Sequence, residues 1–289
     1  MVLVLAMSLL AFLLIHIDAD IGADKNSQDL KPQEARILHI NLNNAEKDQT
    51  IDIPVDQALF KLGFHFGTDK TPKTIDMGFK PELDDFYHRV GFATKSQNVI
   101  VVYPIFTQAA YGVRGFYDYY HNKCDKRCLM VSIPERVEPY YSASEGSTIV
   151  FSMLNYSFIS DIDIDRDPGI LKKFEKVILL HNEYVTQKEF DAITSHPDVI
   201  FLYPNALYTK IDADYDRGTI TLVRGHGYPY QDIKNGFNWR FDNSRFEFDV
   251  KCSNWKFYEI ENGTMLNCYP DYEMFIDSGL LNKIRTLVD

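Results

Sequence analysis

The alternation of apolar and polar positions divides the chain into four stretches. Residues 2–17 are apolar apart from Ser8 and His16, and the chain then turns acidic at Asp18 and Asp20. A run of about sixteen residues with no polar face reads as the core of a signal peptide or as a membrane anchor, with a buried N-terminal helix as the remaining alternative. No Lys or Arg precedes it and no A-x-A pattern follows, so cleaved and anchored forms both stay open. Residues 18–34 carry no apolar period and read as a polar spacer. Residues 35–97 offer one good strand, 36–42, followed by loop-rich sequence with Gly63, Gly67, Pro72, Gly78 and Pro81, which suits a covering subdomain.

The fourth stretch, residues 98–289, is regular. Residues 98–103, 128–132, 176–180 and 199–203 are nearly continuous apolar runs, and helical patterns fall over 107–120 and 187–195. Apolar strands separated by helices predict an α/β domain with a parallel sheet covered on both faces. Residues 148–154 suit a strand or a buried helix by composition, but Gly146 and Ser147 before them supply a loop and an N-cap and favour a helix, with a strand over 156–160. Beyond Tyr203, the short aromatic segments 218–223, 246–250 and 255–260 predict an antiparallel β extension, and 278–287 a final helix.

Composition narrows the partners and the compartment. Asp and Glu number 41 against 30 Lys and Arg, a formal charge of −11, and the basic residues are dispersed. A phosphate backbone would be repelled, which excludes nucleic-acid binding. The four cysteines fall as two local pairs, Cys124 with Cys128 and Cys252 with Cys268. Two disulfides in an oxidising compartment are the simpler reading, and a structural zinc site made from all four is the alternative. With the apolar leader, this points to an extracytoplasmic protein, secreted or membrane-anchored. Asn155-Tyr156-Ser157 and Asn262-Gly263-Thr264 match the glycosylation acceptor pattern.

In an open parallel sheet, ligands bind beyond the carboxyl ends of the strands. After residue 180 come His181-Asn182-Glu183-Tyr184, where a His and a Glu two apart can face one crevice as a metal ligand or an acid/base pair. Alternatively, Glu183 begins to cap the next helix and His181 packs in the core. After 103 comes Tyr111, expected near a helix start beside the same crevice; after 203 come Asn205 and Tyr208. The runs Asp161, Asp163, Asp165, Asp167 and Asp212, Asp214, Asp216 lack the Gly and Glu that a calcium loop needs, and the second reads as a hairpin turn. Arg224-Gly225-His226-Gly227-Tyr228 is a flexible, positively charged loop that either closes over the crevice or is an ordinary connection.

These pieces, in this order, resemble the C-terminal domain of the N,N-dimethylformamidase large subunit and its relatives, over residues 98–223. Carrying the resemblance are Thr107-Gln108-Ala109-Ala110-Tyr111, Val131-Ser132 with Pro139-Tyr140, Asp161-Ile162-Asp163-Ile164 with Asp167-Pro168-Gly169-Ile170-Leu171, His181-Asn182-Glu183-Tyr184, and Asn205-Ala206-Leu207-Tyr208. The resemblance implies a class I glutamine amidotransferase-like fold. It also implies one iron held by Tyr111, Tyr140 and Glu183, with His181 beside it handling protons, and hydrolysis of an amide. Two phenolates and a carboxylate offset three positive charges, and hard oxygen donors suit ferric iron better than zinc. The sequence departs from the family at Gly112, Glu138, Val185 and Thr186, and Tyr141 beside Tyr140 leaves two candidates for the second phenolate. The amidotransferase reaction is disfavoured, because it needs a cysteine nucleophile at a strand exit, and the turn after Tyr203 holds Pro204-Asn205. Two functions are expected to compete: a metal-dependent hydrolase of a small amide-like molecule, and a non-catalytic envelope protein that binds a small ligand or partner in the same crevice, in either case tethered to the membrane if the leader is retained.

Overall fold

Every residue of Val99–Tyr103 is apolar, and every one is buried; such a strand needs cover on both faces. The computed structural model describes residues 57–66, 72–112, 114–134 and 144–289, of which 62–66 and 72–76 by their backbone alone, together with the strand backbones at 13–16, 37–44 and 47–54. In chain order the elements are β1 (Leu13–His16), β2 (Ile37–Asn44), β3 (Lys47–Pro54), β4 (Lys61–Phe66), β5 (Pro72–Gly78), α1 (Asp84–Val90), β6 (Val99–Tyr103), α2 (Ile105–Tyr111), α3 (Phe116–Tyr120), β7 (Met130–Ser132), α4 (Glu145–Met153), β8 (Ser157–Ser160), α5 (Asp161–Arg166), β9 (Lys176–Leu179), β10 (Tyr184–Val185), α6 (Gln187–Ser195), β11 (Val199–Phe201), β12 (Thr209–Asp214), β13 (Thr219–Arg224), β14 (Phe257–Ile260), β15 (Gly263–Leu266) and α7 (Ser278–Val288).

The fold is α/β. Its main sheet has six strands in the order β14-β15-β11-β9-β6-β8, parallel from β15 to β8 and closed at one edge by the antiparallel β14. Alternation along the central strands sorts their side chains between two layers. Val99, Val101, Ile178 and Ile200 pack with Phe151 of α4 and Leu281 of α7 on one face; Ile100, Val102, Val177, Val199 and Phe201 pack with Ile164 of α5 and Ile193 of α6 on the other. A second sheet, β10-β12-β13-β7, is antiparallel except for the β10–β12 pair, and its strands β10 and β12 are the next strands in the chain after β9 and β11.

Local chemistry explains the helix ends. Thr186 caps α6 by accepting from the Glu189 amide, and Asp277 caps α7 by accepting from Leu280. Buried Leu280, Leu281, Ile284 and Val288 recur at helical spacing along α7. The helix expected over 107–120 is two helices, because Gly112 and Gly115 turn the chain between them. Gly115 lies so close to α2 that a Cβ there would sit 2.2 Å from the Ala110 carbonyl oxygen.

Two expected strands are corrected. Residues 128–132 do not join the parallel sheet: Cys128 and Leu129 end a 3-10 turn, and β7 runs antiparallel to β13. Its alternation of one buried residue between two exposed ones suits a half-covered strand. Residues 246–250 form no strand. Their amides bond locally, Phe246 to Asn243 O, Glu247 to Ser244 O and Asp249 to Phe246 O, which leaves no ladder. Residues 148–153 are helical, within α4, and β8 follows; Gly146 and Ser147, expected as loop and N-cap, lie inside the helix, whose N-cap residue is Ser144 and whose C-cap is Leu154. Residues 212–216, expected as a turn, begin inside β12 and end in the hairpin to β13, where Asp214 accepts from Arg217 N. Asp163 and Asp167 act as helix-start acceptors, in a capping box with Ser160 and at Gly169 N respectively.

The residues after 57 within the expected covering subdomain share the main core. Ala58, Leu59 and Phe60 are buried, Tyr87 Oη donates to Leu59 O at 2.6 Å, and Leu59 N donates to Phe275 O at 2.7 Å. Of residues 2–17, expected as a signal peptide or anchor, only β1 is described, paired antiparallel with β2; residues 18–34, expected as a spacer, lie outside the described residues. Among the described residues no helix is long and apolar enough to cross a membrane. Cys124–Cys128 and Cys252–Cys268 are disulfides, so a four-cysteine zinc site is not formed. Both sequon asparagines serve the backbone: Asn155 Nδ2 donates to Phe92 O at 2.9 Å, and Asn262 Nδ2 to Ile193 O at 3.1 Å.

Candidate active site

Strand β6 enters the sheet first, its chain crosses to β8 on one side, and β9 then lines up on the other. The order therefore reverses between β6 and β9, and the segments leaving those two strands flank one crevice. From β6 the chain enters α2, whose N-terminus has no capping side chain of its own. Asp161, at the exit of β8, supplies one: its Oδ2 accepts from Phe106 N at 2.8 Å. Burial raises the Asp161 carboxyl well above the usual range against the opposing pull of these amides.

From β9 the chain tightens through two successive bonds, Asn182 N to Leu180 O at 2.8 Å and Glu183 N to His181 O at 2.9 Å. This turn aims Glu183 inward rather than at the start of α6, which Thr186 caps. Glu183 is 0% exposed, and its carboxylate gathers side chains from three segments. Tyr111 Oη donates to Oε2, His226 Nε2 meets Oε1, and Tyr117 Oη donates to Oε1 at 3.3 Å. His181 Nε2 stands 3.9 Å from Oε2. Burial alone would raise the Glu183 carboxyl, but His226, His181 and the Tyr111 hydrogen bond outweigh it and hold the group below the usual carboxylate range.

His226 arrives through a strained turn. Gly225, His226 and Gly227 have φ of +131°, +51° and +77°, a left-handed path that glycine adopts freely and histidine does not. The imidazole is boxed by aromatic rings, with Tyr208 at 4.7 Å, Tyr120 at 5.3 Å and Tyr184 at 5.9 Å between centroids. Tyr184 Oη donates to Tyr117 Oη at 3.1 Å, so phenol hydroxyls lead from the box toward Glu183. Burial, followed by the Glu183 charge, raises the Tyr111 and Tyr117 phenols well above their ordinary range. Both are therefore neutral donors as the protein stands. Burial lowers His181 to about 4, so it is neutral at pH 7, and neither of its ring nitrogens has a hydrogen-bond partner. Glu247 lies near Glu183, and burial and that neighbouring charge raise it to about 7. Asn205 is buried beside Glu247 with a φ of +57°.

The sequence-derived candidates thus separate into three groups. Tyr111, His181, Glu183 and His226 come together; Tyr184 and Asn205 line the surround; Tyr140 and Tyr141 lie outside the described residues. Tyr111 closes α2 instead of opening it. Nothing in the immediate sequence of Tyr117 or Glu247 marks them for the site, and Thr107 is marked only as part of the motif that ends in Tyr111. Among the described residues no three His, Cys, Asp or Glu side chains converge as a metal cluster. The donors include a phenol, and their chemistry fits a hard cation: a phenol oxygen reaches one oxygen of the Glu183 carboxylate and an imidazole nitrogen the other. Burial, followed by the neighbouring Glu183 charge, keeps Tyr111 protonated, and a highly charged cation would oppose both effects. Compared with models of protein families and with curated proteins, the chain matches none.

Proposed function

We propose that the protein is a metal-dependent hydrolase of a C–N bond in a small amide-like molecule, on a class I glutamine amidotransferase-like sheet. The observation that carries this reading is the meeting of Tyr111, Glu183 and His226 at the reversal point of a parallel sheet. Tyr111 and Glu183 are two of the three iron ligands implied by the dimethylformamidase resemblance; Tyr140 is the third, and His226 is a nitrogen donor beside them. A bound ferric ion would supply Lewis acidity for an amide carbonyl or a water.

The chain's own groups divide the remaining work. His181, neutral at pH 7 and unpaired, is placed to take a proton from an attacking water and return it to the departing amine nitrogen as the C–N bond breaks. The rings of Tyr117, Tyr184 and Tyr208 restrict water around His226 and fix its orientation. The two disulfides suit an oxidising compartment, which supports a reaction outside the cytosol. The test is incubation of iron-loaded protein with a panel of formamides and acetamides, with free amine as the readout. Amine release that disappears in Glu183→Gln supports the reading. Iron-loaded protein that binds amides and releases no amine would make the crevice a binding site instead.

A further inference from the structure

Helix α2 holds Glu183 twice. Thr107 Oγ1 accepts from the Glu183 amide at 3.0 Å and from the Tyr184 amide at 3.2 Å. Tyr111, one helical turn further on, donates its phenol to the Glu183 carboxylate. Residues four apart share a helix face, so one face of α2 grips the backbone and the side chain of the same residue. Thr107 is 0% exposed, and water has no access to replace it. The helix is itself registered by Asp161 at Phe106 N, and Glu183 O is fixed from the far side by the amides of Tyr208 at 3.1 Å and Thr209 at 2.8 Å.

We propose that Thr107 is a positioning residue that sets the placement of Glu183 relative to Tyr111, by clamping the exit of β9 to the helix that carries the phenol. Its hydroxyl does this work, and its methyl group only fills space. Without the hydroxyl, the Tyr184 amide loses this acceptor, the Glu183 amide keeps only the His181 carbonyl, and the turn from His181 to Tyr184 loses its hydrogen-bonded tie to α2 through Thr107. The functional consequence rests on the metal-site reading above; the clamp itself does not.

Thr107→Val keeps the shape and removes the hydroxyl, and Thr107→Ser keeps the hydroxyl. Two readouts are taken on the full chain: hydrogen exchange at the Glu183 and Tyr184 amides, with α7 amides as the reference, and the ferric iron dissociation constant. In Thr107→Val, exchange at the two amides rises with little change in α7, and iron affinity falls by about 10-fold or more, as for loss of groups that orient metal ligands. Thr107→Ser stays close to wild type in both. Unchanged exchange in Thr107→Val overturns the proposal whether or not iron binds. A Thr107→Ser variant as impaired as Thr107→Val also overturns it, including when the valine variant does not fold. A wild-type protein that binds no iron, with the exchange pattern as expected, refutes the metal reading and leaves the clamp standing.

Discussion

His226 and Glu183 lie 43 residues apart along the chain, yet Nε2 of one meets Oε1 of the other over the ends of the parallel strands. The contact exists because the Gly225-His226-Gly227 turn takes a left-handed course. Residues held in sparsely populated backbone regions cost about 1–3 kcal/mol and persist where surrounding structure enforces them. Here the enforcement comes from His226 N donating to Lys234 O at 3.0 Å and from the return of the loop through Asn235.

Asn235 is the pin of that loop. Its Oδ1 accepts from Phe237 N at 2.9 Å and its Nδ2 donates to Leu207 O at 3.2 Å, in a buried setting. Asn235→Ala should destabilise the protein by roughly 1–3 kcal/mol, the range for unsatisfied buried partners, and should weaken iron binding by freeing His226. Urea unfolding and iron titration check this; full iron affinity in a destabilised variant would show that the loop is held by other groups.

A pH effect is expected away from the crevice. Asp271 Oδ1 accepts from Gly146 N at 2.9 Å and from Tyr203 Oη at 2.6 Å, fastening the C-terminal segment to the start of α4. Burial raises its carboxyl to about 6 despite these bonds. The native state therefore binds more protons than the unfolded state between about pH 4 and 6, and stability from this group is fully present below that window and lost as pH rises through it. Replacing it by Asn removes the titration. The stability difference between wild type and Asp271→Asn should change most steeply over that window, by up to ~1.4 kcal/mol per pH unit. A difference independent of pH contradicts the assignment.

The two disulfides should differ in weight. Cys252 and Cys268 are buried and 16 residues apart, whereas Cys124 and Cys128 are 4 apart. Loop-closure entropy predicts a loss of about 3 kcal/mol when both Cys252 and Cys268 become Ala, and a smaller loss for the other pair. Thermal unfolding of the two double variants ranks them, and equal losses would argue against an entropic origin.

The sequence disclosed the central strands because β6, β9 and β11 are apolar at nearly every position, a pattern that only a doubly covered strand tolerates. It disclosed the helical character of α4 but not its start, since Gly146 and Ser147, expected as loop and N-cap, lie inside the helix. It misplaced β7, where three residues carry too short an alternation to separate a half-covered strand from a buried one, and it missed the strand character of β12, whose Asp212 and Asp214 look like turn residues. At the site, Glu183 and His181 were visible as a strand exit. The roles of Thr107, Tyr117 and the His226 turn depend on contacts over 76, 66 and 43 residues, and no local pattern encodes such distances.

The central claim is that Tyr111 and Glu183 share one metal ion. The most direct measurement is the iron content and visible spectrum of purified protein lacking residues 1–17, beside its Tyr111→Phe variant. About one iron per chain is expected, with a tyrosinate-to-iron absorption that is lost or strongly reduced in the variant. Colourless, iron-free protein, or a variant with an unchanged spectrum, would contradict it.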